Sequence, residues 1–242
     1  MSCRRSLMKL GIMQPYYFPY IGYWQLLNAV DKYVIYDDVN FIKGGWINRN
    51  RILNNGVVQY INVPMKGASS FKHINEIEVD NNKILIEKNK KTLWNAYHKC
   101  NEFEMIFPLL CSILECNKSN LADYLTYSIK TICQYLEIST EILISSHIEK
   151  NGELSGEDKV IEICKRMNAD VYYNAIGGRE LYHFDKFEAN DLELCFLDTD
   201  KIMYPQYKRE CFEPNLSIVD VMMNNDIKKI QAMLQQYTLI RK

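Results

Sequence analysis

Short apolar stretches alternating with amphipathic helical ones, an opening of strand, loop, helix and strand, and a long helical middle together predict an α/β protein. The expected architecture is Rossmann-like: a mostly parallel sheet with helices on both faces and a helical insert in the middle of the chain. The 242 residues, 48% hydrophobic and 24% charged, suffice for a full core and have ordinary globular composition. A single domain is expected over residues 8–242, with 82–137 as a helical insert or cap. Residues 1–7 read as a disordered, upstream-start extension outside the fold.

Residues 10–13 read as a short buried strand stopped by Gln14-Pro15, where proline removes a ladder donor and fixes the backbone. Ile21, Trp24, Leu27 and Val30 recur at helical spacing, and residues 33–36 form a second strand ending at Asp37-Asp38. The right-handed crossover of such a unit puts the loop after the first strand at the carboxyl edge of the sheet, where ligands bind in open α/β sheets. Residues 39–51 read as a polar loop, 57–63 as a strand and 74–79 as a weaker one. Across 82–137 the pattern is helical: Leu121, Tyr124, Leu125, Ser128, Ile132 and Tyr135 share a face, and Pro108 starts or kinks a helix. Strands follow at 141–145, 171–174 and 192–197, helices at 157–167 and within 218–235, and a turn at Gly177-Gly178. Ser155 to Asp158 and Ser217 to Asp220 have capping-box spacing.

With 29 basic and 30 acidic residues, the net charge of -1 supplies no global field for polyanions. DNA is therefore not an expected partner, and any nucleic-acid binding needs a local patch. Cys100, Cys111, Cys133, Cys164 and Cys195 sit among apolar residues and read as core thiols. No C-x-x-C pair occurs, and the Cys111 to Cys116 spacing is not that of a zinc site. No stretch reaches the roughly 18 apolar residues of a membrane span, and Gln14-Pro15 interrupts any signal-like run, so a cytoplasmic location is expected.

Two constellations carry the candidate chemistry. The first is the aromatic, proline-rich loop from Gln14 to the helix that opens near Ile21. Gln14, Tyr16, Tyr17 and Tyr20 offer stacking faces and polar handles for a sugar or base, while helix amides meet a phosphate. A plain hydrophobic plug is the alternative. The second begins at Asp37-Asp38, two carboxylates at a strand end suited to a sugar hydroxyl, a magnesium ion or an amine proton. Lys43, Trp46, Asn48, Arg49, Asn50 and Arg51 follow, with arginine forks that match a diphosphate. Gly44 and Gly45 allow close backbone approach to a ligand; without them the charges would read as a solvated loop. His147, at a strand edge, is a weaker general-base candidate, and Gly177-Gly178 a weak phosphate-contacting turn. Neither a Walker loop nor G-x-S-x-G is present.

The words IMQPYYFPYIGYWQLL, YDDVNFIKGGWINRNRI, the Trp94, Ala96, Tyr97 set, SGEDKVIEICKRMNADVYYN and YPQ with FEPNLSIVD resemble the WbqC-like protein family, in order and over nearly the whole chain. Many relatives carry a histidine before the Gln-Pro; Met13 stands there, so no base role transfers to that position. The resemblance adds Tyr204 and Gln206 to the substrate-binding candidates. It implies a surface-polysaccharide (O-antigen) setting and a glycine transferase acting on an amino sugar. Joined to the candidate residues, this gives transfer of an aminoacyl group, glycyl foremost, to a nucleotide-linked amino sugar, with Asp37, Asp38 or His147 as base. The acyl donor is then a charged tRNA, a carrier thioester or an activated amino acid. Two alternatives remain: a non-catalytic sugar-nucleotide-binding scaffold, or an ATP-dependent ligase of nucleotidylyltransferase-like fold. Magnesium or ATP enters only with the ligase, whose H-x-G-H signature the sequence lacks; no cofactor is otherwise assigned.

Overall fold

The computed structural model describes residues 6–242. Of the expected extension, residues 1–5 lie outside the described residues, while Ser6 and Leu7 are exposed.

The opening unit is β1 (Lys9–Met13), α1 (Ile21–Asn28) and β2 (Lys32–Ile35), with β1 and β2 parallel from Leu10 beside Lys32 to Met13 beside Ile35. There follow the hairpin β3 (Arg49–Asn54) and β4 (Val57–Asn62), the two-residue pair β5 (Met65–Lys66) and β6 (Glu78–Val79), and three helices, α2 (Lys83–Tyr97), α3 (Phe103–Leu114) and α4 (Leu121–Leu136). The second half contains β7 (Glu141–Ile144), α5 (Gly156–Arg166), β8 (Val171–Ala175), α6 (Phe184–Glu188) and β9 (Glu193–Thr199). It closes with α7 (Ile218–Asn224), α8 (Ile227–Met233) and β10 (Tyr237–Ile240).

The main sheet runs β7-β2-β1-β8-β9-β10, parallel throughout except that β10 is antiparallel to β9. This is the expected mostly parallel, Rossmann-like sheet. From β1 the chain builds outward through β2 and β7, then returns to place β8 and β9 on β1's other side. The direction of winding reverses between β1 and β8, and a crevice opens there beyond the carboxyl ends of the strands.

Alternating side chains feed two cores, as the period of two requires. Leu10, Ile12, Val34, Tyr172, Leu194 and Phe196 pack with Val160, Ile163 and Cys164 of α5 and Phe187 of α6. Tyr33, Ile35, Val171, Tyr173, Cys195 and Leu197 face the larger core formed with α1, the three middle helices, α7 and α8. Helices thus cover both faces. Cys133, Cys164 and Cys195 are buried and Cys100 and Cys111 half-buried, all as free thiols.

Several expectations are corrected. The supposed loop 39–51 ends in β3, because Asn50, Ile52 and Ile61 turn one face of the hairpin inward. The hairpin closes through Asn55 and Gly56, both at positive φ (52° and 78°), the backbone a two-residue primed turn demands. Residues 74–79 form a single 3-10 turn at Ile74–Glu76 before the short β6, since the Glu76 carboxylate accepts from the His73 amide and curls the chain. The Gly177-Gly178 turn is part of a 3-10 helix, Ile176–Leu181. Pro108 sits inside α3. Ser155 makes no side-chain cap at α5, whereas the Ser217 hydroxyl accepts from the Val219 amide at α7. No described helix is long and apolar enough to cross a membrane.

Candidate functional site

The loop after β1 is held in an unusual shape by residues distant in sequence. Phe18 lies in the left-handed region at φ 44°, a conformation that costs a bulky residue roughly 1–3 kcal/mol. Its carbonyl accepts from Asn50 Nδ2 at 2.9 Å and Ser217 Oγ at 2.8 Å, and Asn50 Nδ2 also donates to the Tyr17 carbonyl at 3.1 Å. The next carbonyl, Pro19, accepts from Trp24 Nε1 at 3.0 Å and the Ile218 amide at 2.9 Å. The buried ring of Phe18 and these fixed donors hold the strained turn in place.

This loop forms one wall of a 470 Å³ cleft at the reversal of strand order. Tyr16, Pro19 and Tyr20 line it from the loop, and Trp46, Asn50 and Arg51 from the approach to and start of β3. Ile176 and Gly177 come from the end of β8, Asp198 and Thr199 from the end of β9, and Asn215 from the segment before α7. Its charged side chains are Arg51 and the exposed Asp198. Burial, then Tyr20, raises the pKa of Tyr16; burial, then Asp198, raises that of Tyr20, so both hydroxyls stay protonated as donors. The Tyr20 ring and Thr199 close tightly over the start of α1: a Cβ on Gly22 would lie 2.5 Å from both the Thr199 hydroxyl and the Tyr20 ring. Gly22→Ala is expected to cost about 1–3 kcal/mol, lowering Tm by several degrees. An unchanged melting curve would show that the helix start is not wedged there.

Arg51 is clamped rather than free. It lies 3.4 Å from Glu213, donates to the Pro214 and Asn215 carbonyls, and its guanidinium is 5.9 Å from the Trp46 ring centre. Glu213 also pairs with Arg209 at 3.0 Å. Arg49 turns away from the cleft to bond the Gly44 and Gly45 carbonyls and cover the Tyr60 ring.

The other candidates fall elsewhere. The Asp37 carboxylate is buried and accepts from the Ser146 amide (2.9 Å), the Ser146 hydroxyl (2.6 Å) and Asn75 Nδ2 (3.3 Å), tying the end of β2 to the turn after β7. Asp38 meets the largely buried Lys150 at 2.9 Å and Lys159 at 3.1 Å. Burial alone would raise its pKa, but hydrogen bonds from Ser145, Lys150 and Lys159 bring it below the usual carboxylate value. Asp37 and Asp38 thus address different partners. Tyr17 packs in the core against Phe18, Gln14 is half-buried beneath the loop, and Lys43 and His147 are exposed and outside the cleft. Asn48 offers its carbonyl to the Val63 amide, and a Cβ on Gly178 would strike Asn174 at 2.6 Å.

Tyr204 and Gln206 belong to a second centre, around Asp220. This 1% exposed carboxylate accepts from the Tyr97 and Tyr204 hydroxyls, each at 2.9 Å, and from Gln206 Nε2 at 3.5 Å. Burial drives its pKa up to about 6 against the opposing pull of those donors. Gln206 exchanges two hydrogen bonds with the backbone of Glu213, so the network reaches Arg51 in the cleft through one residue. Asp220, Asp198, Thr199 and Asn215 were not among the sequence candidates. An aspartate inside the apolar run Ile218-Val219-Asp220-Val221-Met222 was the available signal for the first; the cleft residues had none.

Fold and cleft together define a doubly wound α/β protein with an aromatic, polar-rimmed crevice at its strand-order reversal. The chain belongs to the WbqC-like protein family, whose model matches residues 14–232. It is 30% identical over 227 residues to "Uncharacterized protein Rv1507c" of Mycobacterium tuberculosis, covering 90% of this chain and 94% of that protein. No solved structure matches it.

Proposed function

We propose that the chain transfers an aminoacyl group, glycyl foremost, to the amine of a nucleotide-linked amino sugar bound in the cleft. The observation that carries this reading is the meeting of aromatic faces, hydroxyl donors, one arginine and one exposed carboxylate, Asp198, in a 470 Å³ crevice at the switch point. Tyr16, Tyr20 and Trp46 supply stacking surface for sugar or base. Arg51, pre-set by Glu213 and backbone carbonyls, faces the diphosphate. Asp198 serves as base in place of Asp37 and Asp38, because the Asp37 oxygens are held by Ser146 and Asn75 and Asp38 Oδ2 is held between two lysines, both carboxylates outside the cleft.

In the transfer, the amine nitrogen attacks the acyl carbonyl carbon, a C–N bond forms, and the C–O or C–S bond to the donor breaks. The proton lost by nitrogen passes to Asp198 and leaves with the departing oxygen or sulfur. The amine must reach this step unprotonated, and a carboxylate beside it also orients the ammonium form before deprotonation.

A thermal-shift panel tests the reading with uridine- and thymidine-diphosphate amino sugars, their hydroxyl counterparts, and ATP. A ligand at about one hundred times its Kd stabilises the folded state by roughly 2.7 kcal/mol. The amino sugars are expected to raise Tm more than the hydroxyl counterparts, and Asp198→Asn to remove that difference. Equal shifts with and without the amine would overturn the acceptor assignment, and a shift with ATP alone would favour the ligase.

A further inference from the structure

From Val39 to Asn75 the chain has no aspartate or glutamate, yet it carries Lys43, Arg49, Arg51, Lys66 and Lys72. In a chain of net charge -1 this is the local basic patch that polyanion binding requires. The fold carries Arg49 and Arg51 on the hairpin, Arg51 at the cleft, and Lys66 on β5, where it is exposed and 3.7 Å from Asp80. Arg49 and Arg51 of β3 and Tyr60 and Asn62 of β4 share the outer face of the hairpin, since Arg51 pairs with Tyr60 and Arg49 with Asn62. The Arg49 guanidinium lies 4.8 Å from the Tyr60 ring centre, and Arg51 reaches the Trp46 ring at the cleft rim. On the other side, the Phe41 amide donates to the Lys72 carbonyl at 2.9 Å, which brings Phe71 and Lys72 alongside Ile42 and Lys43.

Aromatic rings reach solvent on this surface: Phe71 is 93% exposed, Trp46 41%, and Tyr60 46% beside the Arg49 guanidinium. Interleaved cations and exposed rings are the arrangement that holds single-stranded nucleic acid, the cations tracking phosphates and the rings stacking on bases. We infer that this face binds single-stranded RNA, whose end it leads over Trp46 and Arg51 into the cleft. Within the aminoacyl-transfer reading, on which the identity of the RNA rests, the strand is the acceptor end of a charged tRNA. The ester C–O bond to its terminal ribose then breaks, and the ribose oxygen takes up the proton.

Fluorescence anisotropy with a labelled 12-nucleotide single-stranded RNA ending in CCA, alongside uncharged tRNA and a blunt RNA duplex, tests this directly on the full chain. At 50 mM salt the 12-mer and the tRNA are expected to bind with Kd on the order of 1–100 μM, and the duplex more weakly. The double variant Lys66→Glu/Lys72→Glu should weaken binding at least tenfold and flatten the log Kd against log salt slope by about 1.4. Phe71→Ala should weaken it about fivefold. All these side chains are exposed and outside the cleft, so the amino-sugar thermal shift should persist in both variants. No RNA binding, or equal binding by wild type and variants, would overturn the inference while leaving an intact sugar shift to stand alone. Loss of the sugar response with RNA binding retained would overturn the transfer reading instead. Light scattering adds a further check: a dimer abolished by Phe71→Ala would make this face a contact between copies and overturn the RNA assignment.

Discussion

Replacing Asp220 with alanine is expected to destabilise the protein by about 2–4 kcal/mol at neutral pH, because the Tyr97 and Tyr204 hydroxyls and the Gln206 amide lose the acceptor they share. The cost should grow on acidification. With a folded pKa of about 6 against 3.8 for an ordinary aspartate, the native carboxyl binds a proton more tightly than the unfolded one. The proton-linked part of its contribution to stability is therefore fully present below about pH 4 and is lost as pH rises through 6, leaving the hydrogen-bonded part at neutral pH. Urea denaturation of wild type and Asp220→Ala should show their difference larger at pH 5 than at pH 8 by about 1–2 kcal/mol. A difference that stays constant across that window would mean that Asp220 does not titrate there. The variant also cuts the path from this network through Gln206 and Glu213 to Arg51, so ligand response in the cleft should fall even at temperatures where the chain remains folded.

Asn50→Ala is expected to be as damaging by a different route. It removes two donors to the backbone around Phe18 and the acceptor of the Arg51 amide, all in a buried setting. The Phe18 carbonyl then keeps only Ser217, and the turn rests on that bond, the donors to Pro19 and packing. A loss of about 2–4 kcal/mol should accompany disappearance of the amino-sugar thermal shift. Asn50→Asp keeps the acceptor but turns a carboxylate toward two carbonyl oxygens, and should do no better. A variant melting within a degree of wild type and still responding to ligand would show that Asn50 does not hold the loop.

The parallel half of the fold was legible because its strands are buried on both faces. Leu10, Ile12, Tyr33, Val34 and Ile35 are apolar whichever side they face, and Trp24 and Leu27 repeat at helical spacing. The failures occur where only one face is buried or where polar residues build the site. In β3 the side chains of Asn50 and Arg51 serve the cleft while Arg49 braces the Gly44-Gly45 loop, which erases the apolar alternation; the Asn55-Gly56 turn is the one local signal of the hairpin. β10 alternates half-buried and exposed positions along an edge, too faint a pattern beside the neighbouring helices. Among candidate site residues, Tyr16, Tyr20, Trp46, Asn50, Arg51 and Gly177 lie together in the cleft because their segments end at the carboxyl edge of the sheet. Asp198, Thr199 and Asn215 join them only through the return of the chain to the far side of β1. That proximity is a property of topology, and no local spacing carries it.

The same topology sets a timetable for synthesis. β1 is nearly the first part of the fold to emerge, yet one of its two partners, β8, begins at Val171, and the Met8 amide waits for Asp170. At a ribosomal pace of about 5–20 residues per second, the central strand spends roughly ten to thirty seconds with one flank unpaired. Its first neighbour, β2, arrives within seconds, and β7 can extend that half as soon as the middle helices are made. The nascent chain therefore passes through an interval in which a half-sheet keeps an open apolar flank, the kind of unpaired strand edge on which neighbouring chains associate.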